Sequence, residues 1–235
     1  MSSLPLPSAV RPTAQPASIE PADYSRRILL AVTGMSPQIV TETLYALAKT
    51  RQPACVPTEI HVMLADYPEM GHPLFSDDTI HVIQDVHGVP LPDIRTPEEN
   101  TAAADAIIRL MATLSQDEQA SVYVSIAGGR KTMGFYMGYA YSLYARPQDR
   151  LSHVLVSPEF EHRPEFSYPP AQPRELSPVR SSRSEGETVA PPLTTDMARI
   201  ELAEIPVVRL RGDVPPEQIN GKAGFGDIVR GIQKN

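Results

Sequence analysis

Apolar and polar positions divide the chain into alternating short apolar runs and longer amphipathic stretches. Arg26–Thr33 (RRILLAVT) is a brief apolar run of the kind that makes a buried strand. Gly34, Met35, Ser36 and Pro37 interrupt it, with serine suited to an N-cap and proline to a first helical turn. Val40, Leu44 and Leu47 then recur at helical spacing, which predicts a helix over Pro37–Thr50. Glu59–Ala65 and Thr79–Gln84 read as two further strands, and Asp66–Asp78 between them as more loop than helix. Asp85–Ile94 carries turn chemistry around Gly88 and two prolines. Thr96-Pro97-Glu98-Glu99 is a capping-box signature opening a helix to about Leu114, along Ala103, Ile107, Ile108 and Met111.

Val122–Ile126 predicts the next strand, and Ala127-Gly128-Gly129-Arg130-Lys131-Thr132 follows at once. Met133–Ala145 is apolar on nearly every face, so it needs burial on more than one side, by core or by a second copy of the chain. Gly134 and Gly138 in it permit another backbone to come close. Ser152–Ser157 is a further strand. Ile200–Leu210 regains strand character despite Pro206, which places it at an edge or a bulge. Gly224–Gln233 predicts a short closing helix. Strands alternating with helices imply an α/β fold, a Rossmann-like, largely parallel sheet flanked by helices with right-handed crossovers. The expected organisation is a tail over 1–22, the α/β core over 24–168, a Pro/Ser-rich disordered linker over 169–195, and a strand and helix over 196–235 completing one domain.

Composition narrows the chemistry. Of the 25 prolines, 13 crowd into Met1–Pro21 and Pro158–Pro192, so the folded part is shorter than the 235 residues. A single cysteine, Cys55, excludes an internal disulfide and a cysteine-based zinc site. The N-terminal stretch lacks the apolar core of a signal peptide, and no apolar run approaches the ~20 residues of a membrane helix, so a cytoplasmic location without membrane contact is expected. A net charge of −7 argues against a broad basic face for long nucleic acid, though not against a small anion in one local positive pocket.

That pocket is expected at the two glycine-containing turns. In an open parallel sheet ligands sit beyond the carboxyl ends of the strands, where both turns lie. Unpaired N–H groups at a helix N-terminus attract anions. Gly128 and Gly129 let a phosphate approach the main chain, and Arg130 and Lys131 add charge. Neither turn is a Walker A loop or a GxGxxG fingerprint. The competing reading is that these glycines serve only tight turns and that Lys131 is a solvated charge.

TGMSPQIVTETLYAL at Thr33–Leu47 and SIAGGRKTMGFYMGYAYSL at Ser125–Leu143 resemble the CRISPR-associated Rossmann-fold (CARF) family. DIRTPEENTAAADAI, DRLSHVLVSPEF at Asp149–Phe160 and AEIPVVRLR at Ala203–Arg211 fit the same branch. The resemblance implies a homodimer binding cyclic oligoadenylate, cyclic tetra-adenylate foremost, the messenger of type III CRISPR signalling. No RxxxxH ribonuclease motif is present. The resemblance therefore implies a stand-alone domain, either a ring nuclease that cuts the messenger or a non-catalytic sensor that regulates a partner or transcription. It casts Lys131 and Ser36 as catalytic, with Thr33, Gly34, Met35, Gly128, Gly129, Arg130 and Thr132 binding the ligand. No cofactor or metal is implied. Ser36 reads equally as a plain helix N-cap. The tyrosines of Met133–Tyr144 read as core or dimer packing ahead of adenine stacking. His81, Asp85 and His87 raise a metal only as a minor alternative, and Glu159, His162 and Arg163 are candidates for the pocket rim. Asp66–Asp78 is shorter than the helix-bearing connection of this branch.

Overall fold

The computed structural model describes residues 19–34, 38–65, 79–161, 163, 165–177 and 192–232. Six strands form one sheet: β1 Arg26–Val32, β2 Glu59–Leu64, β3 Ile80–Val82, β4 Ala120–Ser125, β5 Arg150–Val156 and β6 Ile200–Glu204. Their order is β3-β2-β1-β4-β5-β6, and every pairing is parallel except β5 with β6. The helices are α1 Gln38–Tyr45, α2 Pro97–Leu114, α3 Lys131–Tyr144 and α4 Phe225–Ile232. This is the expected mostly parallel α/β sheet.

Its central strand shows why the pattern works. β1 lies between β2 and β4, with α2 and α3 against one face and α1 against the other, so alternation gives way to a continuous apolar run. Ile28, Leu30 and Val32 point to one layer, where they meet Ile107 and Met111 of α2 and Met133 and Met137 of α3. Ala31 points the other way, onto Val40 of α1, and Leu29 packs with Leu47 and Cys55. A three-layer sandwich results.

Local signals decide most boundaries. α2 begins as the sequence dictates: the Thr96 hydroxyl accepts from the Glu99 N–H, and Glu99 accepts from the Thr96 N–H, with Pro97 at the first helical position. The first helix is α-helical only to Tyr45 and continues as a π-helical turn, Ala46–Thr50. β3 is shorter than expected, three residues against six, because only Ile80–Val82 pair with β2. β6 stops at Glu204, short of Pro206, which cannot donate to a ladder, and sits at the sheet edge, one of the two placements the proline allowed.

The chain after β6 does what the sequence left to a partner. Residues 205–210 cross α3, where the Leu210 N–H donates to the Ser142 carbonyl and the Ser142 hydroxyl to that of Val208. Phe225 of α4 meets the rings of Tyr136 and Tyr139 edge-on. Tyr141 and Tyr144 are buried, their hydroxyls donating to the carbonyls of Asp149 and Gln218. α3 therefore buries most of its surface within one copy, which removes much of the pressure toward a dimer that its composition implied. What it leaves open is Phe135, 65% exposed, and the outer side of Gly138.

The expected linker is docked at both ends. Leu176 is buried with Phe160 and Phe166, its N–H donates to the Leu193 carbonyl, and Glu175 bridges to Thr194. At the other terminus, Pro21 is buried and its carbonyl accepts from Ser121. The rest of both proline-rich stretches, and the short 66–78 connection, lie outside the described residues.

Candidate functional site

Strand order places the site. The connection after β1 runs to β2 through α1, and the one after β4 runs the other way to β5 through α3, so a crevice opens between the carboxyl ends of β1 and β4. The turn after β1 and the turn after β4 flank it. They touch: a Cβ placed on Gly34 would lie 3.5 Å from the Gly129 Cα. Gly128 is closer still, for a Cβ there would meet the Val32 carbonyl oxygen at 2.8 Å and Ile39 Cδ1 at 2.9 Å. Gly129 has φ of +76°, a backbone state that side chains rarely adopt. Thr33 is buried and its N–H donates to the Met63 carbonyl, anchoring the first turn to β2. Beneath, the buried Thr43 hydroxyl lies 3.2 Å from that of Ser125, tying α1 to the end of β4.

The second turn leads into α3, whose N-cap is Arg130 with no side-chain cap on the first-turn N–H groups. Such a terminus offers donors to an anion. Lys131 and Thr132 open the helix and are exposed, and the Lys131 ammonium makes no ion pair or hydrogen bond with any described residue. Arg130 differs. Its guanidinium is held by Asp93 through both carboxylate oxygens, and Asp93 also accepts from Arg95 at 2.6 Å. Those guanidinium bonds hold the Asp93 carboxyl far below the usual carboxylate range. Charge that the sequence assigned to the pocket is thus spent within the protein, and Lys131 is left as the uncommitted cation of the turn. Ser36 and Met35 lie outside the described residues.

A cavity of about 230 Å³ adjoins the turns, between α1, Ala127 and β5. Gln38 and Glu42, one helical turn apart on α1, face it together with His153 of β5, and Phe160, Glu161 and Arg163 close it. Arg163 lines this cavity, its guanidinium donating to the carbonyls of Glu159 and Ser177; Glu159 is not among the lining residues, and His162 is outside the described residues. A larger hollow of about 460 Å³ lies between the β3 edge and α2, around Arg109 and Thr113, three turns along α2 from its capped N-terminus.

His81 is not gathered with Asp85 and His87. It bonds His61, Nε2 to Nδ1 at 2.8 Å, and burial pushes it down to about 4, so it is neutral at physiological pH. Asp85 instead caps its own turn, accepting from the N–H groups of His87 and Val89. Among the described residues no three His, Cys, Asp or Glu side chains converge as metal ligands.

Sequence reasoning missed Asp93, Gln38, Glu42 and His153. Asp93 reaches Arg130 only through the fold, across 37 residues. Glu42 did carry a signal: it stands within the periodic apolar stretch of α1 and is buried there.

Among solved structures, the chain is similar to Enterococcus italicus Csm6 bound to cyclic hexa-2'-fluoro-hexa-dAMP, at 13% identity and a TM-score of 0.37. The match covers 57% of this chain and 34% of that one, so this chain spans about a third of the length of that protein. No curated protein matches. No helix among the described residues is long and apolar enough to cross a membrane. The family described as CRISPR-associated protein NE0113 matches residues 36–234, which takes in α1, both glycine-rich α3 and its turn, and the C-terminal strand and helix. A match over that much of the chain identifies it: this protein belongs to the CRISPR-associated protein NE0113 family.

Proposed function

We propose that the chain binds cyclic oligoadenylate, cyclic tetra-adenylate foremost, in the crevice between the two glycine turns and opens the ring without a metal. The observation that carries this reading is the junction of Gly34 with Gly128–Gly129 beside an uncapped helix start bearing the unpaired Lys131. Backbone N–H groups and a point charge converge where a phosphodiester can approach without meeting a Cβ. Membership of a CRISPR-associated family and the CARF-like motifs supply the ligand class.

In this reaction the ribose 2′-oxygen attacks its neighbouring phosphorus in line. The P–O5′ bond breaks, the 2′-proton ends on the departing 5′-oxygen, and the product carries a 2′,3′-cyclic phosphate. Lys131 stabilises charge on the phosphoryl oxygens, while Thr33, Gly34, Gly128, Gly129 and Thr132 hold the backbone of the ring and Ser36 orients the attacking hydroxyl. Loss of one such preorganised donor typically costs ~10²–10³ in rate, so Lys131→Ala should lose about that much with its fold intact. A second copy docked over Phe135 and Gly138 would set two crevices side by side, since Phe135 stands one helical turn from Lys131.

Incubation with cyclic tetra-adenylate in excess EDTA, with products resolved by chromatography, tests the mechanism. Cleavage should persist, and a 2′-deoxy ring should bind and stay intact. Cleavage that stops in EDTA and returns with a divalent metal refutes it. The pairing of Arg130 with Asp93 favours a second reading, a sensor that binds without cutting, because it lowers the positive charge available to a transition state. Tight binding with no products over hours would select the sensor.

A further inference from the structure

The cavity beside the turns holds an unmet demand. Glu42 is only 7% exposed, yet its carboxylate makes no hydrogen bond or ion pair with any described residue. A largely desolvated carboxylate in a cavity wall, with no partner among the described residues, points to something that comes and goes. One helical turn earlier, Gln38 Oε1 is buried and also lacks a partner among the described residues. Both are acceptors, and both face the same space of about 230 Å³. Phe160 and Phe166 give that space flat apolar walls, which suits a planar organic group better than a hydrated ion. It is smaller than a typical ligand site of ~300–1,000 Å³, and so fits one fragment of a larger molecule.

We infer that this cavity is a subsite for the amino-bearing edge of a nucleobase, read by Glu42 with help from Gln38. The inference deepens the proposed function and rests on it for the class of ligand. Adenine presents an exocyclic N–H donor to the carboxylate. Hypoxanthine puts a carbonyl oxygen there, and two acceptors then face each other. An amide can turn to suit either base, so Glu42 carries the discrimination and Gln38 adds affinity. The cavity touches the cradle directly: Ala127 lines it, and Ile39, another lining residue, packs on Gly128.

Two measurements on the full chain separate this from the ring reading. In the first, AMP and IMP are titrated while the Ile39 methyl and the Gln38 side-chain amide are followed by NMR. AMP should shift both signals and IMP should not. No response to AMP, or an equal response to magnesium ions alone, overturns the subsite. In the second, cyclic tetra-adenylate is compared with the ring carrying hypoxanthine bases. The adenine ring should bind at least about tenfold tighter, as a polar pocket rejects a mispaired edge. Glu42→Leu should erase that ratio, and equal affinities in the wild type overturn the base reading even if both rings are cut. If neither ring binds but AMP still shifts the cavity signals, the subsite stands and the cyclic ligand falls.

Discussion

Substituting Gly128 with alanine isolates the contact on which the crevice depends. The new Cβ would sit 2.8 Å from the Val32 carbonyl oxygen, 3.3 Å from the Thr33 Cα and 2.9 Å from Ile39 Cδ1. The first two are main-chain atoms at the end of the central strand, and Val32 is fully buried, so they cannot withdraw. Only Ile39 can rotate, and it would vacate its packing on the turn. Overpacking of this kind costs about 1–3 kcal/mol. For a chain of this size each kcal/mol moves the midpoint by about 2–4 °C, so the unfolding temperature should fall by about 2–12 °C. Gly34→Ala is the matched contrast. Its Cβ would stand 3.5 Å from Gly129, an ordinary contact, so stability should change by less than about 0.5 kcal/mol while the methyl group fills the crevice. Thermal unfolding followed by circular dichroism, with calorimetric titration of cyclic tetra-adenylate, reads both effects. Gly128→Ala melting with the wild type would mean that the two turns are not in contact, and Gly34→Ala binding normally would remove the crevice as the site.

Three further outcomes follow from particular residues. Asp149, fully buried, accepts from the Val122 and Arg146 N–H groups and from the Arg146 guanidinium, so Asp149→Asn leaves a buried cation and should cost about 3–5 kcal/mol in urea denaturation; a loss below 1 kcal/mol would refute this. Gly138→Ala meets nothing within 4 Å and should stabilise the fold by about 0.5–1 kcal/mol, while weakening self-association in sedimentation if a second copy docks there. Glu42, raised by burial and by Glu161 in a cavity shared with His153 and Arg163, holds its proton more tightly folded than unfolded. Stability is then highest below the ordinary carboxylate pKa of ~4.3 and falls as pH rises through the folded value. Glu42→Gln should therefore stabilise more at pH 7.5 than at pH 4, and an equal shift at both would count against an unpaired carboxyl.

Much of this protein could be read before any coordinates. Element type along α2 followed from its capping box, β1 from its apolar run, and the two turns from their glycines, because these signals act over a few residues. The late strand's place at an edge was one of the two readings, edge or bulge, that Pro206 allowed, and the strand ends before it. What only the tertiary structure decided are relations between residues far apart in the chain. Asp93 neutralises Arg130, Phe225 and residues 205–210 cover the α3 face that composition left open, and Leu176 docks a stretch whose prolines and serines read as linker. Gln38 and Glu42 become one wall of a cavity only when β5 and Phe160 close it. Periodicity records which face of an element is apolar. It carries no record of which partner meets that face, or of which charge finds its counter-charge, since those depend on how the sheet orders its strands.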